Sequence, residues 1–215
     1  MKSILIIGMG RFGRSLADKL LELGNDIMIV DKREEIIEEL APRFTNALIG
    51  DATNLSVLKS LGVNNFDVCF VAIGENFQAS LEVTSQLKDL GAKYVVSKAS
   101  TSLQAKFLSK CGADEVTYPE RDMAEKLAIR FNADNIFDYV EIASEFGVFE
   151  IAVPKNWVGS TVLSTKARQA HNINIIAIKN GGVLKMLTGA DYVFKKEDHI
   201  VLIGRADDVF RITNR

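Results

Sequence analysis

Ile4-Leu5-Ile6-Ile7-Gly8-Met9-Gly10-Arg11-Phe12-Gly13 is a β-branched run that stops in a glycine loop and opens a helix. Four consecutive apolar residues predict a strand covered on both faces. Phe12, Leu16, Leu20 and Leu23 then recur at helical spacing, and Gly24 ends the pattern. The loop has the form G-x-G-x-x-G. Gly8 permits the tight turn, Gly10 lets an anion approach bare backbone, and Gly13 lets helix and strand pack closely. Free N–H groups at the helix start, aided by the helix dipole, suit a phosphate. Asp31 ends the second apolar run, about 20 residues on, where a carboxylate accepts hydrogen bonds from ribose hydroxyls. Strand, loop, helix and acid stand in register for a nucleotide.

Outward from this stretch the same alternation continues. Strands are expected at Ile27–Val30, Ala47–Ile49, Val68–Ile73, Tyr94–Ser97 and Glu115–Tyr118. Helices are expected between them over 34–43, 55–61, 77–90 and 103–111. The arrangement is α/β, a Rossmann-like doubly wound parallel sheet with right-handed crossovers. After Pro119 the pattern changes. A helix over 122–132 leaves the sheet, and alternating strands at Phe137–Ala143 and Gly147–Val153 flank the tight stretch Ser144–Gly147. A helix over Leu163–Ala170 precedes Ile173–Lys179, the turn Asn180-Gly181-Gly182 and Val183–Leu187. Asn and Gly accept the positive φ of two-residue hairpin turns. A strand at Ile200–Ile203 and a helix over 207–212 close a small α+β domain. The expected division is a nucleotide-binding domain over 1–135 and a second domain over 136–215.

Composition narrows the function classes. The 215 residues carry 26 Lys+Arg against 28 Asp+Glu, a formal charge of −2, and 47% are hydrophobic. A nucleic-acid partner is disfavoured, because such proteins carry a basic surplus or stripe. Every apolar run is stopped by a charge well short of the about 20 residues a membrane span needs, and Met1-Lys2-Ser3 leads directly into a strand, not a secretion signal. Cys69 and Cys111 are too few for a disulfide framework or metal cluster, and read as reduced packing residues of a cytoplasmic protein.

Other residues add to the candidate site. Gly50-Asp51-Ala52-Thr53 follows the third strand, where an adenine ring would lie; Asp51 suits its amino group or, equally, caps the next helix. Asp31 disfavours a 2′-phosphate by repulsion, while Lys32 and Arg33 soften that argument. Arg11 offers a fork for a terminal phosphate, or is a solvated helix-start residue. Neither His171, at a helix end, nor His199, expected to be exposed, stands in a nucleophile–base arrangement. No catalytic residue is assigned, and a nucleotide site without chemical apparatus reads as a sensor. An NAD-dependent oxidoreductase and a nucleotide-responsive adaptor of another partner are the alternatives.

Over essentially its whole length the chain resembles the regulator-of-potassium-conductance (RCK) proteins, cytosolic subunits of Ktr/Trk-type potassium uptake systems. The resemblance rests on Ile6–Gly13, Val30-Asp31, Gly50–Thr53, Val71-Ala72-Ile73-Gly74, Lys98-Ala99, Gly112-Ala113-Asp114 and Tyr118–Met123. Val158-Gly159-Ser160, Ile173–Ile178 with its glycine turn, and Asp198–Gly204 add to it. It implies a homo-oligomer, a dimer building an octameric ring, beneath a membrane potassium channel on the inner face of the cell membrane. ATP, ADP, AMP or NAD(H) would bind one pocket and favour different ring shapes. The site so implied comprises Gly8, Met9, Gly10, Arg11, Phe12, Gly13, Asp31, Lys32, Asp51, Ala52, Thr53, Ala72, Ile73 and Gly74. Lys98 would lie near the phosphates, and Glu120 would approach a neighbour's nucleotide, through a divalent or monovalent cation. From the residues alone, Lys98 is a solvated strand end and Glu120 an acid in a helix's first turn. The small domain resembles the family's C-terminal module, which in some members binds cyclic di-AMP between two subunits. Leu187-Thr188-Gly189-Ala190-Asp191 departs from the proline-containing segment of such relatives, which favours a dimerisation module.

Overall fold

Alternate residues of β1 (Ser3–Ile7) face opposite ways, and both sets are apolar, so a layer of helices is needed on each side. In the computed structural model, which describes residues 1–143, 145–186 and 189–213, both layers are present. Ile4 and Ile6 pack with Ala17 of α1 (Arg11–Glu22) and Ile37 of α2 (Glu34–Leu40). Leu5 and Ile7 pack with Leu58 of α3 (Leu55–Leu61) and Val83 of α4 (Phe77–Asp89). β2 (Asp26–Asp31), β3 (Asn46–Ile49), β4 (Val68–Val71), β5 (Val95–Lys98) and β6 (Glu115–Thr117) complete a parallel sheet in the order β3-β2-β1-β4-β5-β6. α5 (Ser102–Lys110) crosses between the last two. The winding reverses between β1 and β4, the point where sheets of this kind open a crevice at their carboxyl ends.

Differences from the sequence reading are local. The helix expected through residue 43 ends at Leu40, and Ala41-Pro42-Arg43 tightens into a single 3₁₀ turn, since Pro42 lacks the N–H that would continue it. β4 stops at Val71, releasing Ala72 and Ile73 into the loop. α6 (Pro119–Phe131) starts three residues early with proline at its first position, where a missing N–H is tolerated.

The chain divides into two compact units, Met1–Glu120 and Arg121–Arg215. The second is built on an antiparallel sheet, β10-β9-β11-β8-β7, from β7 (Ile136–Ala143), β8 (Phe146–Ala152), β9 (Asn174–Asn180), β10 (Val183–Met186) and β11 (His199–Arg205). Phe149, Ile151, Ile200 and Leu202 alternate inward against Trp157, Phe194 and the apolar face of α9 (Ala206–Thr213). Asn180 pairs with Val183, so the hairpin loop is Gly181-Gly182, with φ of 53° and 80°. Both positive values are what a two-residue turn of this hand requires. The helix expected over 163–170 is instead two short pieces, α7 (Val162–Thr165) and α8 (Ala167–His171), broken at Lys166 with φ 50°. The N–H groups of Val162 and Leu163 bond to the carbonyls of Tyr192 and Ala190, which fixes the first piece to that segment. The expected turn at Ser144–Gly147 and the departure at Leu187–Asp191 fall partly outside the described residues, at Ser144, Leu187 and Thr188.

Candidate functional site

All six strands of the parallel sheet contribute to one cleft of about 730 Å³ at their carboxyl ends. Its floor is the glycine loop. Gly8 has φ 96°, and a side chain there would press on the backbone of Ala72 at 3.1 Å. A Cβ on Gly13 would fall 2.0 Å from the Gly8 carbonyl oxygen, so only glycine lets α1 come this close to β1. Gly10 differs: nothing stands within 4 Å of the space its side chain would fill. It is also the N-cap of α1, with no side-chain cap and no acid in the first turn. The unpartnered N–H groups of that turn, and the positive end of the dipole, are left for an anion.

Gly8, Gly10, Arg11 and Phe12 line the cleft, with Asp31 and Lys32 after β2 and Asp51, Ala52 and Thr53 after β3. Ala72, Ile73 and Gly74 after β4, Lys98 at the end of β5, and Glu120 beyond β6 line it too. Met9 and Gly13 do not. The Met9 side chain is fully buried in the core, while its N–H donates to Asp31 Oδ2 at 2.7 Å and so ties the loop to β2.

Asp31 is buried and held from several sides. Oδ1 accepts from the Arg33 N–H and Nε, both at 3.0 Å, and Oδ2 also accepts from Arg33 Nη2 at 3.1 Å. Burial pushes its carboxyl pKa up, but the hydrogen bonds from Arg33 and Met9 prevail and hold it below the usual 3.8. Asp51 is exposed and organises its own turn. Its Oδ1 accepts from the Thr53 hydroxyl at 2.8 Å and the Thr53 N–H at 3.0 Å, and these bonds lower its pKa. It does not cap α3; Asn54 does, accepting from the Ser56 N–H.

At the opposite rim Lys98 Nζ donates to Glu120 Oε1 at 2.7 Å and stands 5.9 Å from the centre of the Phe12 ring. Lys98 is not the solvated strand end that its residue type suggests. Its side chain is 11% exposed against 62% for Glu120. The hydrogen bond from Lys98, with the Arg11 charge nearby, holds the Glu120 carboxyl below its ordinary range. The Arg11 side chain makes no hydrogen bond or ion pair to a described residue.

Sequence reasoning weighed Arg33 only as a charge close to Asp31 and did not foresee its ion pair with that acid, nor the second wall, formed by Glu75, Asn76, Gln78, Ala79 and Glu82. Asn76 caps α4 by accepting from the Ala79 N–H at 3.0 Å. The signal was available: Gly74-Glu75-Asn76 is a strand-to-helix loop ending in a good N-cap residue. It faces the glycine loop across the switch point. The histidines lie in the other unit. His199 is half-buried, not exposed: Nδ1 meets Glu150 Oε1 at 2.7 Å and the ring stacks on Phe137 at 4.0 Å. His171 ends α8 beside Trp157. Among the described residues, no group of three His, Cys, Asp or Glu side chains is placed to hold a metal ion.

The sequence model of the TrkA-N domain matches residues 4–119, and that of the TrkA-C domain residues 148–215. Ktr system potassium uptake protein C of Bacillus subtilis (strain 168) is 41% identical over 214 residues, covering 100% of this chain and 97% of that protein. Ktr system potassium uptake protein A of the same organism is 32% identical over 213 residues, covering 99% and 96%. Among solved structures, the GsuK RCK domain superposes with a TM-score of 0.71 at 18% identity, over 100% of this chain and 48% of that one. The GsuK channel bound to NAD gives 0.72 at 19%, over 100% and 40%. The chain therefore spans half or less of those structures, and the likeness is one of fold. With both domains matched in order and two Ktr proteins similar from end to end, the chain belongs to the TrkA family of potassium uptake proteins.

Proposed function

We propose that this chain is the nucleotide-sensing regulatory subunit of a potassium uptake system, acting at the inner face of the cell membrane without bond chemistry of its own. The observation that carries the reading is the uncapped start of α1 opening into a cleft with Arg11 and Lys98 beside it and the buried Asp31 at the end of β2. An adenine nucleotide fits that arrangement. Its phosphates would meet Gly10 and the first turn of α1, with Arg11 and Lys98 beside them, and its ribose would meet Asp31. The adenine would lie against Asp51 and Ala52. ATP, ADP, AMP and NAD(H) share this part, and the relatives' names supply the setting of potassium uptake. Among the described residues no helix is long and apolar enough to cross a membrane, so an integral potassium-channel subunit is the partner this reading requires.

Regulation then follows from differential binding. A ligand shifts an assembly only by binding one of its shapes better than another. We place nucleotide binding in residues 1–135 and dimerisation in 136–215, with dimers building an octameric ring. A cation at Glu120 would draw its remaining ligands from a neighbouring copy. The oxidoreductase alternative predicts turnover of NADH with a small carbonyl compound, which the same protein can be assayed for. The decisive measurement is a competition titration of ATP, ADP, AMP, NAD and NADH with particle mass followed throughout, repeated with the channel subunit. Indifference to all five compounds, or a lone subunit under every condition, would overturn the reading.

A further inference from the structure

The loop after β2 carries more than a plain ribose needs. A carboxylate offers about four acceptor positions, and at Asp31 four hydrogen bonds are already in place, from the Met9 N–H, the Arg33 N–H, Arg33 Nε and Arg33 Nη2. The Asp31 side chain is 5% exposed, so a ribose diol reaching it must compete with the guanidinium. Arg33 has capacity to spare. Of the five N–H donors a guanidinium carries, those at Nη1 make no bond to a described residue, and the side chain is 47% exposed. Glu35 and Glu75 are near enough to act on its charge, but neither pairs with it. Lys32 precedes it on the cleft wall.

We propose that Arg33, with Lys32, forms a subsite for a phosphate on the ribose 2′-oxygen, so that the cleft takes 2′-phosphorylated adenine nucleotides. This rests on the adenine-nucleotide reading and deepens it. In a sheet of this winding the ribose 2′-oxygen lies beside the acid that ends β2, and an arginine nearby accommodates a 2′-phosphate. An unpaired aspartate would repel that dianion. Here the guanidinium stands on the aspartate, and one planar group can serve both anions: Nε and Nη2 toward Asp31, Nη1 toward the phosphate. The plain ribose has to displace an ion pair, whereas the phosphorylated one extends it.

The test compares AMP, adenosine 2′,5′-bisphosphate and adenosine 3′,5′-bisphosphate by calorimetric titration of the full chain at physiological ionic strength, where exposed charges are screened. The 3′,5′ compound carries the same charge at the wrong oxygen. The wild-type chain should bind the 2′,5′ compound at least as tightly as AMP, and about tenfold or more tighter than the 3′,5′ compound. Arg33→Ala should lower the ratio of 2′,5′-bisphosphate to AMP affinity by about tenfold or more, the loss of a charge-assisted contact. Arg33→Gln, which keeps the aliphatic stem to Cδ and a polar N–H but no charge, should do the same and serves if the alanine variant is unstable. A wild-type preference for AMP of about tenfold, equal affinity for both bisphosphates, or an unchanged ratio in both variants would overturn the proposal. Binding of ATP and NADH alongside rejection of the 2′,5′ compound would sink this inference alone. Failure of every compound to bind would remove the underlying reading and this inference with it.

Discussion

Arg11 and Lys98 are both cations at the end of the cleft proposed for the phosphates, yet they are not equivalent. Lys98 is held by Glu120 at 2.7 Å, while the Arg11 side chain is exposed and makes no hydrogen bond or ion pair to a described residue. A third phosphate would therefore find its new contact at Arg11. A hydrogen bond to a charged group contributes about 1.5–3 kcal/mol, so Arg11→Ala should reduce the ATP-over-ADP preference by about tenfold or more. Equilibrium dialysis with both nucleotides measures it, and an unchanged ratio would release Arg11 from this role. Asp31 makes a prediction of the opposite kind, on stability. Its folded pKa lies below the ordinary 3.8, so its ionised form stabilises the native state fully above the unfolded value. That contribution is lost as pH falls through the lower folded value. The urea midpoint of the wild-type chain should exceed that of Asp31→Asn at pH 7, and the gap should close as pH drops below 3.8. A gap that stayed constant with pH would mean the carboxylate charge is not what matters there.

At the scale of single elements, the glycine loop separates two tasks that the motif alone does not distinguish. Gly13 serves packing, because a Cβ would meet the Gly8 carbonyl at 2.0 Å. Gly13→Ala should destabilise the fold by about 2–3 kcal/mol and lower Tm by roughly 5–10 °C. Gly10 has open surroundings, and the proposed function gives it to the ligand. Gly10→Asp should leave Tm within about 2 °C and abolish nucleotide binding through clash and repulsion. Calorimetric melts with and without ADP check both, and retained ADP affinity in Gly10→Asp would move the site elsewhere. The loop was legible in sequence because each glycine obeys a local constraint. Elements fixed by distant partners were not. The break at Lys166 depends on bonds from α7 to Tyr192 and Ala190, which residue spacing within 161–171 does not contain. The half-burial of His199 depends on Glu150 across the sheet. Arg33 was visible as a charge, but its return onto Asp31 two residues back is a side-chain conformation and leaves no periodic trace.

For the whole molecule, the doubly wound parallel sheet was legible from alternation and chirality rules, while the strand order β3-β2-β1-β4-β5-β6 and the cleft at its switch point came from the structure. Assembly is where the surface speaks. Met123, Leu127 and Phe131 recur at four-residue spacing along α6 and are 56%, 41% and 75% exposed, an apolar stripe of the kind that another surface covers. Leu127→Glu should lower the particle mass measured by light scattering while ADP still binds, and an unchanged mass would place the subunit contact elsewhere. The tie between the Met9 N–H and Asp31 has a consequence for any occupant. It joins the glycine loop to the end of β2, so the two sides of the cleft floor are ordered together before anything arrives. Under the proposed function, the free energy of binding would then go into rearranging the Arg33–Asp31 pair and meeting the first turn of α1, and not into shaping the loop.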